Sequence, residues 1–473
     1  MKKAIIIIAT LLIMPSVIFA KSNKRGVGEN LFQYWAQMEV LEPGVTWYYN
    51  WGNTEKSSVE GQEFLEYVPM CWNGGYNAEA IREYCKNHPE TKYLLGFNEP
   101  NFKDQANMTP AEAAAKWPEV QALAKEFNLE LVAPALNYSP DAPYYQPTAW
   151  MDEFVNLVGK DAFDYTAIHA YGGFGVMSDL ATTFYEKYGK PVWVTEFCFW
   201  PGESGGVSVA SQVNMIVQSL EWLEKTDFIY RYAWFKATEK TATNFNLVNS
   251  GKGEEPRELS EQGLVYVNMS EFDPEVYHPI NVQIPAKEYI SQSLISLGSS
   301  ADAASGSPIE ISQFNSGATL DYQFDVPSAG EHQLTLRVSG VGEPARFDPK
   351  IGVLAINEDG SDGAELCEAK QFGLPGDDET YQTVTFPITL SAGKQTIRLK
   401  DYAPYQPSGI RISTVSLVNP AGIKDIHAMD SNTPVNVYNL QGVCVLRNVM
   451  PGEVAGKLSK GLYIINGSKI LLK

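Results

Sequence analysis

From residue 24 to about 277 the chain switches its period repeatedly. Short runs rich in β-branched and aromatic residues alternate with stretches whose apolar residues recur at helical spacing. Eight strand-like runs are legible: Arg25–Gly28, Val45–Trp51, Phe64–Trp72, the run opening at Tyr93, Leu129–Pro134, Phe163–His169, Pro191–Thr195 and Phe228–Trp234. Helices are predicted between them at Asn30–Val40, Asn77–Asn87, Thr109–Phe127, Trp150–Val158, Ser178–Tyr188 and Val209–Glu224, with a last one at Leu259–Met269. The third of these carries a full start signal: Thr109 as cap, Pro110 at the first position and Glu112 three residues after the cap. The link Gly52–Glu63 is polar and only weakly helical, the thinnest point of the pattern. The alternation predicts an α/β fold, a (β/α)8 barrel of TIM type.

In such a barrel the chemistry sits at the C-terminal strand ends. Strand four reads Tyr93-Leu94-Leu95-Gly96-Phe97-Asn98-Glu99-Pro100-Asn101; its apolar run stops at a proline, which cannot donate to a ladder. Strand seven, Pro191-Val192-Trp193-Val194-Thr195-Glu196-Phe197, ends in the same way on a carboxylate. Three barrel strands on from strand four, Glu196 faces Glu99 across the mouth. A facing carboxylate pair is what glycosidic bond cleavage requires: one carboxyl protonates the leaving oxygen, and the other works at the opposite side of the anomeric carbon. Asn98 is placed to meet a sugar hydroxyl. His169 and Tyr171 end strand six between the two carboxylates, and Trp234 at the end of strand eight would floor the site. Trp51, Trp72 and, more weakly, Asn73 and Trp200 are positioned to contact sugar rings. Glu203 reads as a solvated residue outside the machinery.

The remaining sequence has another texture. Residues 1–20 read as a signal peptide: Lys2 and Lys3 precede an apolar run, and Ala20 offers a cleavage point. This places the protein outside the cytoplasm: secreted, periplasmic or at the cell surface. Residues 21–278 hold the barrel. Residues 279–420 show short alternating runs split by turn signals, the pattern of an all-β sandwich. Residues 421–473 contain a linker and a small all-β module. Five cysteines in an exported chain of 473 residues do not make a disulfide scaffold; a Cys71–Cys85 bridge is one possibility, and Cys198 reads as a buried packing thiol. The net charge of −20 leaves no basic surplus for a nucleic-acid backbone.

The strand-end residues resemble a known group. Gly96-Phe97-Asn98-Glu99-Pro100-Asn101 together with Trp193-Val194-Thr195-Glu196-Phe197 is similar to the clan of barrel glycosidases with an acid/base after strand four and a nucleophile after strand seven. Trp47-Tyr48-Tyr49-Asn50-Trp51-Gly52, Val68-Pro69-Met70-Cys71-Trp72 and Ile168-His169-Ala170-Tyr171 resemble glycoside hydrolase family 128 more closely, over about residues 24–270. The resemblance implies a retaining endo-β-1,3-glucanase with a reduced barrel, Glu99 as acid/base and Glu196 as nucleophile. Ala286-Lys287-Glu288-Tyr289 and Tyr381 resemble a family 6 carbohydrate-binding module, although Lys287 stands where an acidic calcium ligand is common. The tail resembles the C-terminal sorting modules of exported Bacteroidetes proteins.

The expected partner is a polysaccharide or oligosaccharide, a β-glucan, with no nucleic acid, no membrane span, no cofactor and no metal; the chain is expected to act as a monomer. Two rivals stand beside this reading. One is a glycosidase of the same clan acting on mannan, xylan or agar/porphyran; the other is a glycan-binding protein on an inactive barrel. Intact Glu99 and Glu196 argue against the second.

Overall fold

The computed structural model describes residues 22–30, 36–56, 64–200, 207–238, 243–249, 257–341, 348–404, 409–419, 424–425, 434–439, 443–465 and 468–472. The predicted signal segment 1–20 and Glu203 lie outside them. The chain forms two compact units. The first holds residues 1–274, 287–291 and 295–313, and the second holds 275–286, 292–294 and 314–473.

The first unit is built on eight parallel strands: β1 (Arg25–Gly28), β2 (Trp47–Tyr49), β3 (Glu66–Tyr67), β4 (Tyr93–Leu95), β5 (Glu130–Leu136), β6 (Tyr165–Ala170), β7 (Val192–Phe197) and β8 (Ile229–Phe235). Their order is β3-β2-β1-β8-β7-β6-β5-β4. The sheet closes on itself through Leu95, which donates to Pro69 O and accepts from Cys71 N, both at 2.9 Å. Around it run α1 (Ala36–Glu39), α2 (Ala78–Asn87), α3 (Pro110–Glu126), α4 (Pro147–Val158), α5 (Phe174–Tyr188), α6 (Val209–Lys225) and α7 (Glu261–Asn268). The cap expected on α3 is present: Glu112 N donates to Thr109 Oγ1 at 3.2 Å and Thr109 N to Glu112 Oε2 at 2.8 Å. Of the weak link Gly52–Glu63 between β2 and β3, only residues 52–56 are among those described, and the rest of that reading lies outside them.

Boundaries differ where backbone chemistry interrupts a ladder. Strand three was expected over Phe64–Trp72, but regular pairing stops at Tyr67, two residues before Pro69, which has no N–H to give. Pairing resumes as the single bridge Met70–Leu95. Strand seven runs two residues further than expected, through Glu196 to Phe197.

The barrel interior is filled by buried Trp47, Tyr49, Met70, Tyr93, Leu95, Val132, Tyr165 and Trp193. At the N-terminal ends of the strands the Arg231 guanidinium lies 4.5 Å from the Tyr93 ring centre, 5.3 Å from Trp193 and 5.4 Å from Trp47. It also donates to Glu66 Oε2 at 2.7 Å. These cation–π contacts and the ion pair compensate a cation that burial would otherwise penalise. This end is therefore packed shut. All five cysteines are free, so Cys71 and Cys85, both buried, are not bridged. Burial pushes the Cys198 thiol well up, with the neighbouring Glu196 charge adding to it, which suits the packing role expected of it. No described helix is long and apolar enough to cross a membrane.

The second unit is dominated by antiparallel strands, as the alternating runs predicted. Gly330–Gly340 pairs with Asp377–Leu390 and with Ile410–Val418, while Lys350–Ile356 pairs with Asp362–Gln371 and with Gly393–Asp401. Tyr381 lies under the Arg337 guanidinium, 5.3 Å from the ring centre. The tail is not purely β: Pro451–Lys457 is a helix with its proline at the first turn, the position proline favours. The expected linker also carries a short strand, Lys424–Asp425, paired with Ile470 and Leu471.

Candidate active site

Glu99 is placed by backbone. A Cβ at Gly96 would stand 2.7 Å from Val132 O and 3.0 Å from the Trp117 ring, so only glycine lets the chain run this close to β5. The following residues are then stitched on both sides. Asn98 N donates to Trp72 O, Ala135 N to Phe97 O and Glu99 N to Ala135 O, each at 2.9 Å. These bonds hold Glu99 at φ 42°, a left-handed conformation that costs a non-glycine residue about 1–3 kcal/mol and is met preferentially at functional sites.

Glu196 reaches the same place through sheet register. A shift between Ile168 and His169 sets His169 opposite Glu196 across β6 and β7. His169 Nδ1 then lies 2.9 Å from Glu99 Oε1 and 3.3 Å from Glu196 Oε2. One ligand atom from each of the three residues lies within 4.8 Å of the others. Among the described residues these are also the side chains that could surround a small cation.

Glu196 is surrounded by donors. Its Oε1 accepts from Trp51 Nε1 at 2.7 Å and from the Tyr49 hydroxyl at 3.0 Å; its Oε2 accepts from the Tyr171 hydroxyl. Burial is the strongest influence on its titration and pushes it up; His169 pulls it down, Glu99 pushes it up, and Tyr171 and Trp51 pull it down. The balance lies above the ordinary carboxylate value. Burial alone would lower the His169 pKa, but the charges of Glu196 and Glu99 outweigh it and hold the imidazole above its usual value. Burial and the same two carboxylates keep the Tyr49 and Tyr171 phenols protonated, so both remain donors.

The carboxylates open into a cleft of about 590 Å³, within the size range of small-ligand sites. Of the residues singled out from sequence, Trp51, Trp72, Asn98, Glu99, Tyr171, Glu196 and Trp200 line it. His169 lies beneath them, fully buried. Asn98 gives its amide to Gln105 Oε1 at 3.2 Å, while its buried Oδ1 has no protein partner. Two expectations need correction. Trp234 is not a floor for sugar: it is fully buried, donates to Phe245 O at 2.7 Å and packs on Phe197 and Tyr266. Side chains alternate along a strand, and its neighbour Phe235 takes the cleft side. Asn73 is likewise absent from the cleft lining; its Oδ1 accepts from Gly75 N at 2.9 Å and closes a local turn.

Several participants escaped the sequence reading. Tyr49 shares alternate positions with Trp47 and Trp51, and that alternation was a usable signal. Asn137, whose Nδ2 lies 3.4 Å from Glu99 Oε1, directly follows β5, so the strand-end rule that selected Glu99 selects it too. Phe102 and Gln105 lie in an irregular loop that leaves no periodic trace.

A (β/α)8 barrel with two buried carboxylates brought together at its C-terminal mouth has the parts that glycoside hydrolysis uses. In agreement, residues 32–263 match the family model described as "Glycosyl hydrolase catalytic core", and the chain is a glycoside hydrolase. A GH128 (subgroup II) endo-beta-1,3-glucanase from Pseudomonas viridiflava is 32% identical, with 52% of this chain and 98% of that chain covered at a TM-score of 0.47. Its counterpart from Sorangium cellulosum is 34% identical, covering 52% and 97%, with a TM-score of 0.46. Alkali-sensitive linkage protein 1 of Schizosaccharomyces pombe is 29% identical over 241 residues; the match spans 48% of this chain and 41% of that relative's length.

Proposed function

We propose that the protein is a retaining endo-β-1,3-glucanase acting by double displacement. The observation that carries the mechanism is the closeness of Glu99 and Glu196, with oxygens within 4.8 Å and His169 between them. Inverting enzymes need ~6.5–9.5 Å between carboxyls to seat a water; direct attack works at ~5–5.5 Å. In the first step Glu99 gives its proton to the glycosidic oxygen as the bond to the anomeric carbon breaks, and a Glu196 oxygen forms the glycosyl ester. In the second, water attacks the same carbon, Glu99 takes the water's proton, and the ester bond to Glu196 breaks. His169 Nδ1 stays within reach of both groups, 2.9 Å from Glu99 Oε1 and 3.3 Å from Glu196 Oε2. Asn98, with an unpartnered Oδ1 at the cleft, accepts from a sugar hydroxyl.

The choice of β-1,3-glucan rests on the aromatic strand ends that resemble glycoside hydrolase family 128, of which Trp51 and Trp72 line the cleft. Export rests on the apolar segment read in residues 1–20. Digestion of laminarin and curdlan, with product sizing and proton NMR of the newly formed anomer, tests the assignment. The β-anomer among internal fragments is the expected product. Cleavage of mannan, xylan or agar in preference to β-1,3-glucan would overturn the substrate, and the α-anomer as first product would overturn the mechanism.

A further inference from the structure

We infer that Trp51, placed by sequence as a wall for sugar, is also a positioning residue for Glu196: one rigid indole presents a face to the cleft and fixes the nucleophile through its N–H. The inference rests on the reading of Glu196 as nucleophile.

Away from its cleft face, Trp51 is closely held. Its backbone sits at φ 57°, a conformation a large residue rarely adopts without compensation. A Cβ at Gly28 would fall 3.0 Å from Cη2 and 3.2 Å from Cζ2 of the indole, so that position must stay bare for the ring to seat. Tyr49 packs on it at 4.9 Å between ring centres, and Phe235 meets it edge-on at 5.8 Å. The Lys236 ammonium lies 6.0 Å from the ring centre. A ring this constrained holds Nε1 at 2.7 Å from Glu196 Oε1, while the same residue lines the cleft. A sugar resting against the indole is thereby set at a fixed offset from the attacking carboxylate. The donor is neutral and does not titrate, so it supports the ionised form of Glu196 at every working pH.

Other charged or titratable groups also face Glu196: Tyr49 from β2, Glu99 beyond β4, His169 from β6, Tyr171 directly after β6, and Cys198 on its own chain segment. The test must isolate the indole from these. Trp51→Phe removes the N–H donor and leaves a smaller aromatic face on the cleft. The acid limb of kcat/KM on laminarin is expected to move up by about one pH unit, with a roughly tenfold loss below the limb. KM above the limb should change far less. An acid limb that stays in place in Trp51→Phe overturns the inference. A second readout does not depend on that variant folding. In 15N-labelled wild type, one indole N–H resonance should titrate with the acid-limb midpoint and shift in Glu196→Gln; if no indole resonance responds, the inference falls. Glu196→Ala separates the two failures. Retained turnover there removes the nucleophile assignment itself, whereas an inactive Glu196→Ala beside an unmoved Trp51→Phe limb removes only the role of Trp51.

Discussion

His169 is the residue on which the two carboxylates meet, 2.9 Å from Glu99 Oε1 and 3.3 Å from Glu196 Oε2. In the proposed mechanism Glu196 must be ionised to attack, and its pKa lies above the ordinary value because burial outweighs its donors. Activity is then lost as pH falls through that raised value. The acid limb of kcat/KM, measured from pH 3 to 9, is expected above the ~4.3 of an unperturbed glutamate. The same shift has a stability sign. A carboxyl whose folded pKa is raised binds its proton more tightly in the native state, so its contribution is fully present below the ordinary carboxylate range. It is lost as pH rises through the raised value. Glu196→Gln should therefore raise the melting temperature at neutral pH while abolishing turnover; calorimetry at pH 4 and pH 7 should show the gain only at the higher pH. The carboxylates, Asn98, His169 and Tyr171 were legible in the sequence because each ends a strand. Trp234 was misread because one residue of strand register decides which face a side chain takes, and only the neighbour Phe235 faces the cleft.

At the scale of elements, the barrel was legible because helical and strand periods alternate so regularly, and because α3 announces itself with a complete cap. Strand ends were less so: Pro69 cuts β3 short through a missing donor, and the helix in the tail had only Pro451 to announce it. Two substitutions separate an element's stability from its bearing on the site. Thr109→Ala removes the cap of α3 and should cost about 1 kcal/mol in denaturant unfolding with kcat unchanged. Gly96→Ala places a Cβ 2.7 Å from a backbone oxygen of β5, and the chain must move to relieve it. A loss of about 1–3 kcal/mol is expected, and unlike Thr109→Ala it should lower kcat because Glu99 moves with the strand end.

For the whole molecule, the charge of −20 becomes a means of discrimination. A neutral glucan feels little of that field, so KM should stay flat between 20 mM and 500 mM NaCl; a sulfated galactan, repelled at low salt, would bind better as salt rises. Chelator should leave the rate intact, since the mechanism runs on carboxylates and His169; loss of activity in EDTA, restored by a divalent ion, would contradict it. The cluster around Arg231 fills the barrel at the N-terminal ends of its strands, opposite the mouth where the carboxylates lie. The stitched backbone at Asn98 and Glu99 bears on how such a molecule can change. Because Glu99, the proposed proton donor, takes its position from Trp72 in the segment after β3 and from Ala135 in β5, other loops around the mouth can be lengthened, shortened or exchanged without displacing it. New chain-length preferences are thus open to evolution or engineering while the bond-breaking step stays as it is.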